Sequence, residues 1–287
     1  VDLFNKVFSP LFFKSLKVPS PYCYRCPIDA ERRSCNIDCI KPLENLLKKK
    51  SNGIAGIILE PIVMAAGGMI IYPKEYLAKV SKLCKEYEVH LIIDEVATGF
   101  GRTGKMFACE HANVKPDFMC VSKGITSGYL PFAATLTTDK VYKAFYADYD
   151  KHKTFFHGHT YTANPIGCAA ALASLRIFEE EDVLKTSTKI WKLLHKELES
   201  FRKLDFVGDV RYIGGIGALE LVKNRSTKEP FPSKDRIGEK IYKEGLKKNI
   251  ILRPLGNIAY FFLPLCIKEI EMLTIIERAK KVISAFA

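Results

Sequence analysis

Apolar positions along the chain fall into two rhythms, and the change from one to the other predicts most of the elements. Residues 41–50, KPLENLLKKK, carry apolar positions at helical spacing and read as a short amphipathic helix closed by Asn52-Gly53. The run 54–60, IAGIILE, is continuous and apolar and ends on Glu60 before a proline, which predicts a buried strand delivering a carboxylate. Residues 73–89 open with proline, which suits a helix N-terminus, and return to helical spacing. A second short apolar run, Leu91 to Ile93, delivers Asp94 and Glu95. A third, Asp117 to Val121, delivers Ser122 and Lys123. Strand, helix, strand in this order is the signature of a parallel sheet. FAATLTT, 132–138, adds a further strand, and 163–178 and 182–201 read as helices, the first alanine-rich and buried, the second amphipathic.

After about Glu181 the pattern changes. Short strands over 205–213 and 216–222, a helix near 235–248, strands over 249–252 and 258–263 and a closing helix over 268–286 make an α+β arrangement. The expected fold is therefore α/β, with a mainly parallel sheet in a large domain, 1–180, and a smaller C-terminal α+β domain, 181–287.

Composition narrows the function classes. Hydrophobic content of 48% and charged content of 26% are ordinary for a globular chain of 287 residues. The net charge of +12 raises nucleic acid as a partner. The basic residues are scattered, however, and the densest run, Lys48 to Lys50, reads as a solvated helix end. A basic enzyme handling a phosphorylated cofactor accounts for the charge, and no nucleic-acid partner is expected. No apolar run approaches the ~20 residues of a membrane span, and there is no signal-peptide pattern. A cytoplasmic protein without a membrane partner is expected.

The candidate chemistry sits at the strand ends. In open α/β sheets ligands collect where the strands finish, so Asp94 and Lys123 are aimed at one crevice. A lysine amine condenses with an aldehyde cofactor, and an aspartate facing a pyridine nitrogen keeps it protonated. The same two residues also suit a structural ion pair. GFGRTG, 99–104, fits a dinucleotide fingerprint in letters, and with Lys105 it fits a P-loop. The acidic pair precedes the glycines where the fingerprint wants it after them, and Met106 stands where a P-loop needs Ser or Thr. A tight turn carrying Arg102 is the better account, and a nucleotide-binding module is the competing one. His157, Gly158, His159 and Thr160 precede Asn164-Pro165 and a helix, which suits either anion binding at a helix N-terminus or an ordinary capping loop. Arg253 ends an apolar run before a proline turn and offers a fork for a carboxylate, while Tyr260 also suits the core. Cys23, Cys26, Cys35 and Cys39 form C-x2-C-x8-C-x3-C, compatible with a zinc site or with free, redox-active thiols.

Several long strings together resemble one family. EPIVMAAGG at 60–68, IIDEVATGFGRTGKMFACEH at 92–111, SKGITSGYLP at 122–131, KTFFHGHTYTANPIGCAAA at 153–171 and RPLG at 253–256 resemble, in collinear order, the subgroup III aminotransferases of pyridoxal-phosphate (PLP) fold type I. Within that family the chain is most similar to members that aminate 8-amino-7-oxononanoate to 7,8-diaminononanoate in biotin synthesis. The alternative within the family is another ω-aminotransferase, of the ornithine or 4-aminobutyrate type. The resemblance implies PLP as cofactor and Lys123 as the catalytic lysine that carries it. It implies Asp94 at the ring nitrogen, with Glu60 behind it. It implies a homodimer with shared active sites, in which His159 and Thr160 hold the phosphate of the neighbouring subunit's cofactor and Gly158 touches substrate. Arg253 would bind the substrate carboxylate, with Tyr260 and Arg102 nearby, and the amino donor would be S-adenosylmethionine or lysine. The resemblance does not require a metal. VDLFNKVFSPLFF, at the start, matches a point well inside family members. A glycine-serine phosphate turn and a ring-stacking aromatic are therefore expected to be missing upstream, and the chain alone is expected to turn over poorly or to be inactive.

Overall fold

The computed structural model describes residues 5–32 and 34–286; residues 1–4, with which the opening segment begins, lie outside the described residues, as do 33 and 287. Helix α1 (Lys41–Lys50) precedes strand β1 (Gly56–Leu59), a small hairpin of β2 (Val63–Met64) and β3 (Ile70–Ile71), helix α2 (Lys74–Glu86) and strand β4 (His90–Asp94). Strands β5 (Phe118–Val121) and β6 (Ala134–Thr137) complete a four-stranded sheet in the order β1-β4-β5-β6. Helix α2 forms because Tyr76, Leu77, Val80, Leu83 and Cys84 recur at helical spacing and are all buried on one face. It is the crossover that lets β1 and β4 run parallel.

The sheet is parallel through β1, β4 and β5, but β6 pairs antiparallel with β5. The connection over 122–133 holds only a short 3₁₀ turn, Lys123–Thr126. It has no crossover helix to carry the chain back to the other end of the sheet.

Helices α3 (Asp139–Phe145), α4 (Pro165–Glu180) and α5 (Val183–Glu199) follow. The expectation that the alanine-rich helix is buried fails for α4. Gly167, Ala171 and Ser174 are buried, whereas Ile166, Leu172 and Ile177 face outward. The helix lays its small-residue face on the chain and leaves its larger apolar residues uncovered within a single chain.

The second half builds an antiparallel sheet from β7 (Val207–Ile213), β8 (Ile216–Asn224), β9 (Glu229–Pro230), β10 (Pro254–Leu255) and β11 (Ile258–Phe262). Helix α6 (Ile237–Lys247) and the closing helix α7 (Glu269–Ser284) pack with α5 around one core that includes Trp191, Leu194, Leu219, Ile241 and Met272. The strand expected over 249–252 does not form. Asn249 adopts a left-handed backbone with φ 53°, and the Ile250 amide turns back to the Gly245 carbonyl at 3.0 Å. Those residues are used to cap α6, and strand pairing begins only where Pro254 meets Ala259. A second core lies on the parallel sheet and includes Leu77, Val80, Leu91 and Ile93, and Ile216 and Ala218 of β8 also belong to it.

Candidate functional site

Strand register sets Glu60 level with Asp94 and places Lys123 a few residues beyond the end of the next strand. Leu59 pairs with Ile93, so Glu60, one residue on, stands beside Asp94. Asp94 in turn pairs with Cys120 on β5, three residues before Lys123. Neighbouring strands lie about 4.8 Å apart, so two carboxylates and an amine gather at the carboxyl end of three parallel strands. Their electrostatics show the same grouping. Burial pushes the Glu60 carboxyl up; its hydrogen bond from the Ala65 amide, 3.1 Å, and nearby Lys123 pull it down, while Asp94 pushes it up. Asp94 is half-buried, and its Oδ1 accepts from the Val96 amide at 3.0 Å.

Lys123 opens the 3₁₀ turn with a left-handed backbone, φ 43°, a conformation unfavourable for a residue with a Cβ. Such strain persists where the surroundings over-determine it, and they do so here. The Ser122 hydroxyl donates to the Phe132 carbonyl at 2.8 Å, and the Thr126 hydroxyl to the Leu130 carbonyl at 2.7 Å. Ser127 and Ser174 share a hydrogen bond of 2.7 Å that ties the turn to α4. Gly124 packs directly on Phe100.

Of the 99–104 loop, Phe100 packs on the lysine turn, while Gly101 faces Leu184, Phe178 and Leu265 and Gly104 faces Gly214. Phe100, Gly101 and Gly104 all have positive φ, and the loop runs on to a five-residue 3₁₀ turn, Ala108–Ala112. The long helix that a dinucleotide fingerprint needs does not follow. Glu95 closes this loop from inside. It is fully buried, takes the Thr98 hydroxyl, and accepts from the backbone amides of Ala108 and Cys109 at 3.1 and 2.8 Å.

The other candidates are placed as follows. Arg102 is turned toward the second sheet, with its guanidinium 4.4 Å from the Phe262 ring centre and one nitrogen donating to the Leu263 carbonyl; burial lowers its pKa to about 10. Arg253 is exposed, just before β10. Tyr260 lies on β11 opposite Ala218 and packs against the core of the parallel sheet. Gly158, His159 and Thr160 are exposed in a capping loop, in which His159 Nδ1 accepts from the Tyr161 amide at 3.1 Å and Asn164 caps α4 through the Gly167 amide at 2.7 Å. Cys23, Cys26, Cys35 and Cys39 are all free thiols and line one small cavity.

One buried polar network was missed in the sequence. Glu220, in the middle of the buried strand β8, is held by Arg211 Nη1 at 2.8 Å, by Arg25 Nε at 2.7 Å and by the Tyr22 hydroxyl. Burial pushes its carboxyl up to about 7. Arg211 also donates to the carbonyls of Met69 and Gly68, at 2.8 and 2.7 Å. The only signal was a charge inside the apolar run IGALELV, where a polar residue needs a buried partner.

A carboxylate and an amine at one strand edge fit an aldehyde cofactor with a protonatable ring nitrogen. Comparison with known proteins agrees. The family model for aminotransferase class-III matches residues 4–283. The adenosylmethionine-8-amino-7-oxononanoate aminotransferase of Geobacter sulfurreducens is 48% identical over 277 residues, covering 95% of this chain and 61% of the relative. The enzyme of that name from Aquifex aeolicus is 45% identical over 287 residues, covering 98% and 62%. The crystal structure of the Methanocaldococcus jannaschii protein of that name superposes with a TM-score of 0.90 at 42% identity, covering 99% of this chain and 63% of that one. The chain thus spans about three-fifths of the length of the curated relatives it matches.

Proposed function

The chain belongs to the class-III aminotransferases, a PLP-dependent family of fold type I, and on that premise we propose that it transfers an amino group to 8-amino-7-oxononanoate, giving 7,8-diaminononanoate for biotin synthesis. The observation that supports the reading is the gathering of Glu60, Asp94 and Lys123 at the carboxyl ends of three parallel strands, with Asp94 and Lys123 both within electrostatic reach of Glu60. The names of relatives at 44–48% identity point to that substrate. S-Adenosylmethionine is the proposed donor, with lysine as the alternative.

PLP, when bound, supplies an electron-accepting ring that lets the donor's α-carbon lose a proton. Lys123 Nζ would hold it, and the same amine would move the proton at the donor's α-carbon. Asp94 would keep the ring nitrogen protonated, with Glu60 supporting Asp94 from the next strand. Arg253 pairs with the substrate carboxylate. Gly158, His159 and Thr160 serve the site of a second copy. The exposed aromatics around them, Tyr129, Phe155, Phe156 and Tyr161, suit burial in a homodimer. Among the described residues no helix is long and apolar enough to cross a membrane, in keeping with the cytoplasmic location we propose. We propose a division into 1–180 and 181–287, supported by the change from the mainly parallel first sheet to the antiparallel second one.

The test uses the protein at the full length of its relatives. It is given PLP, the oxononanoate and either S-adenosylmethionine or lysine, and the diamine is followed by mass spectrometry. A visible absorption band with PLP and diamine with one donor are expected. A band without diamine, but with turnover of ornithine or 4-aminobutyrate, would overturn the substrate. No band at all would overturn the reaction class.

A further inference from the structure

Arg211 lies on β7 with its side chain buried. A charge taken out of water needs hydrogen-bonding partners all round. Two are on its own sheet: Nη1 donates to Asp209 Oδ2 at 2.9 Å and to Glu220 Oε2 at 2.8 Å. Those carboxylates would suffice for a structural ion pair. The other edge of the fork reaches a different part of the chain. Nε donates to the Met69 carbonyl at 2.8 Å and Nη2 to the Gly68 carbonyl at 2.7 Å. The acceptors are consecutive carbonyls of the loop that joins β2 to β3.

That loop needs an external hold. Strands β2 and β3 have two residues each, and an isolated pair of strands is marginal in water even when longer. Met69 has φ 52°, a left-handed backbone unfavourable for a residue with a Cβ. Such a conformation persists where its surroundings over-determine it, and Arg211 grips the carbonyls on both sides of the turn. The amides of Gly68 and Met69 turn back to one acceptor, the Ala65 carbonyl, at 3.1 and 3.0 Å. The Ala65 amide in turn donates to Glu60 Oε1 at 3.1 Å. Burial disfavours the Glu60 carboxylate, and this amide is the first group that offsets the burial. A continuous run of hydrogen bonds and peptide units thus leads from the second sheet, through residues 65–69, to the carboxylate beside Asp94.

We propose that Arg211 is a positioning residue for this carboxylate pair: by holding the Gly68 and Met69 carbonyls it fixes loop 65–69, aims the Ala65 amide at Glu60 and so keeps Glu60 in place beside Asp94. Asp209 and Glu220 orient the guanidinium from behind, and Tyr22 and Arg25 close on Glu220 in turn. Lysine is a poor substitute, because a point charge cannot serve two carbonyls and two carboxylates as the planar fork does. What Glu60 does for the cofactor rests on the aminotransferase reading; the hold of Arg211 on the loop does not.

The experiment compares the protein at the full length of its relatives with Arg211→Lys, Glu60→Gln and the double variant. Without PLP, hydrogen exchange of residues 62–69 is followed by mass spectrometry, with residues 90–94 as the reference. Arg211→Lys should speed exchange in 62–69 by about tenfold, the loss of one charge-assisted hydrogen bond, and leave 90–94 unchanged. With PLP, kcat and KM are measured for the acceptor that the wild type turns over. Arg211→Lys should lower kcat about tenfold with KM within about twofold, the mark of an interaction used in the chemical step. In the Glu60→Gln background the same substitution should change kcat little, because residues that act through one another do not add. Multiplying effects in the double variant, or unaltered exchange in Arg211→Lys, would overturn the proposal. Should Arg211→Lys fail to fold, Glu220→Gln, which frees one anchor of the guanidinium, goes through the same cycle with the same expectations. A wild type without a visible PLP band would overturn the aminotransferase reading instead, and the exchange measurement would then decide the hold of Arg211 on the loop alone.

Discussion

A Cβ placed on Gly124 would stand 2.9 Å from Cβ of Phe100, closer than side chains normally approach. The contact joins the glycine loop to the residue after Lys123 and explains why the chain carries small residues on one side and a tight turn on the other. Gly124→Ala should displace the lysine turn and lower turnover on the order of 100-fold, as misplacements of about 1 Å do. The double variant with Phe100→Ala should recover part of that loss, because the clash is removed. Equal turnover in Gly124→Ala and wild type would show that the packing does not position Lys123.

Asp94 stands at the end of a buried strand with Glu60 beside it. Asp94→Asn keeps the shape and removes the charge. Turnover should fall by about 100-fold or more, the scale on which a preorganised electrostatic group acts, while PLP still attaches and absorbs. Unchanged turnover would remove Asp94 from the mechanism.

Glu220 gives a pH signature. Its folded-state carboxyl is raised by burial to about 7 from an ordinary value near 4.5, against the two guanidiniums that favour its charged form. A raised folded value means that the native state holds the proton more tightly. The associated stability is present at low pH and is lost as pH rises toward 7. Relative to Glu220→Gln, the wild type should therefore lose up to about 3 kcal/mol between pH 4.5 and 8, as one pKa unit is about 1.4 kcal/mol. Paired denaturant melts across that range read the difference. A wild-type advantage that grows with pH would show that Arg25 and Arg211 dominate burial.

Arg253 should select the substrate and leave cofactor chemistry alone. Arg253 is exposed in the single chain, so the effect requires the pair to become enclosed when substrate binds, where losing one partner costs about 2–5 kcal/mol, or tens to thousands of times in affinity. Arg253→Ala should raise KM for the oxononanoate steeply with an unchanged absorption spectrum, and Arg253→Lys should rescue in part, because a point charge lacks the fork. Stopped-flow of the two half-reactions separates the cases. Equal damage to the donor half-reaction would make the role structural.

The parallel strands and their cargo were legible because short apolar runs ended on charges: Leu91 to Ile93 before Asp94, and the run to Val121 before Ser122 and Lys123. Helices with a clear buried stripe, such as α2 and α5, were legible for the same reason. What failed was set by long-range contact. The direction of β6 was not legible at all, because it depends on the absence of a crossover, and residues 249–252 look apolar enough for a strand but are consumed in capping α6. The Tyr22, Arg25, Arg211 and Glu220 network joins positions nearly 200 residues apart, which no local pattern reports. Arg102 read as a crevice residue, yet its guanidinium lies over Phe262.

Whether Lys123 is the lysine that carries the cofactor is tested most directly by borohydride reduction of the PLP-loaded protein followed by peptide mapping. The reduced adduct is expected on Lys123 within the peptide spanning SKGITSG, at one label per chain, and absent in Lys123→Ala. A label on any other lysine, Lys105 of the neighbouring glycine loop included, would contradict the account.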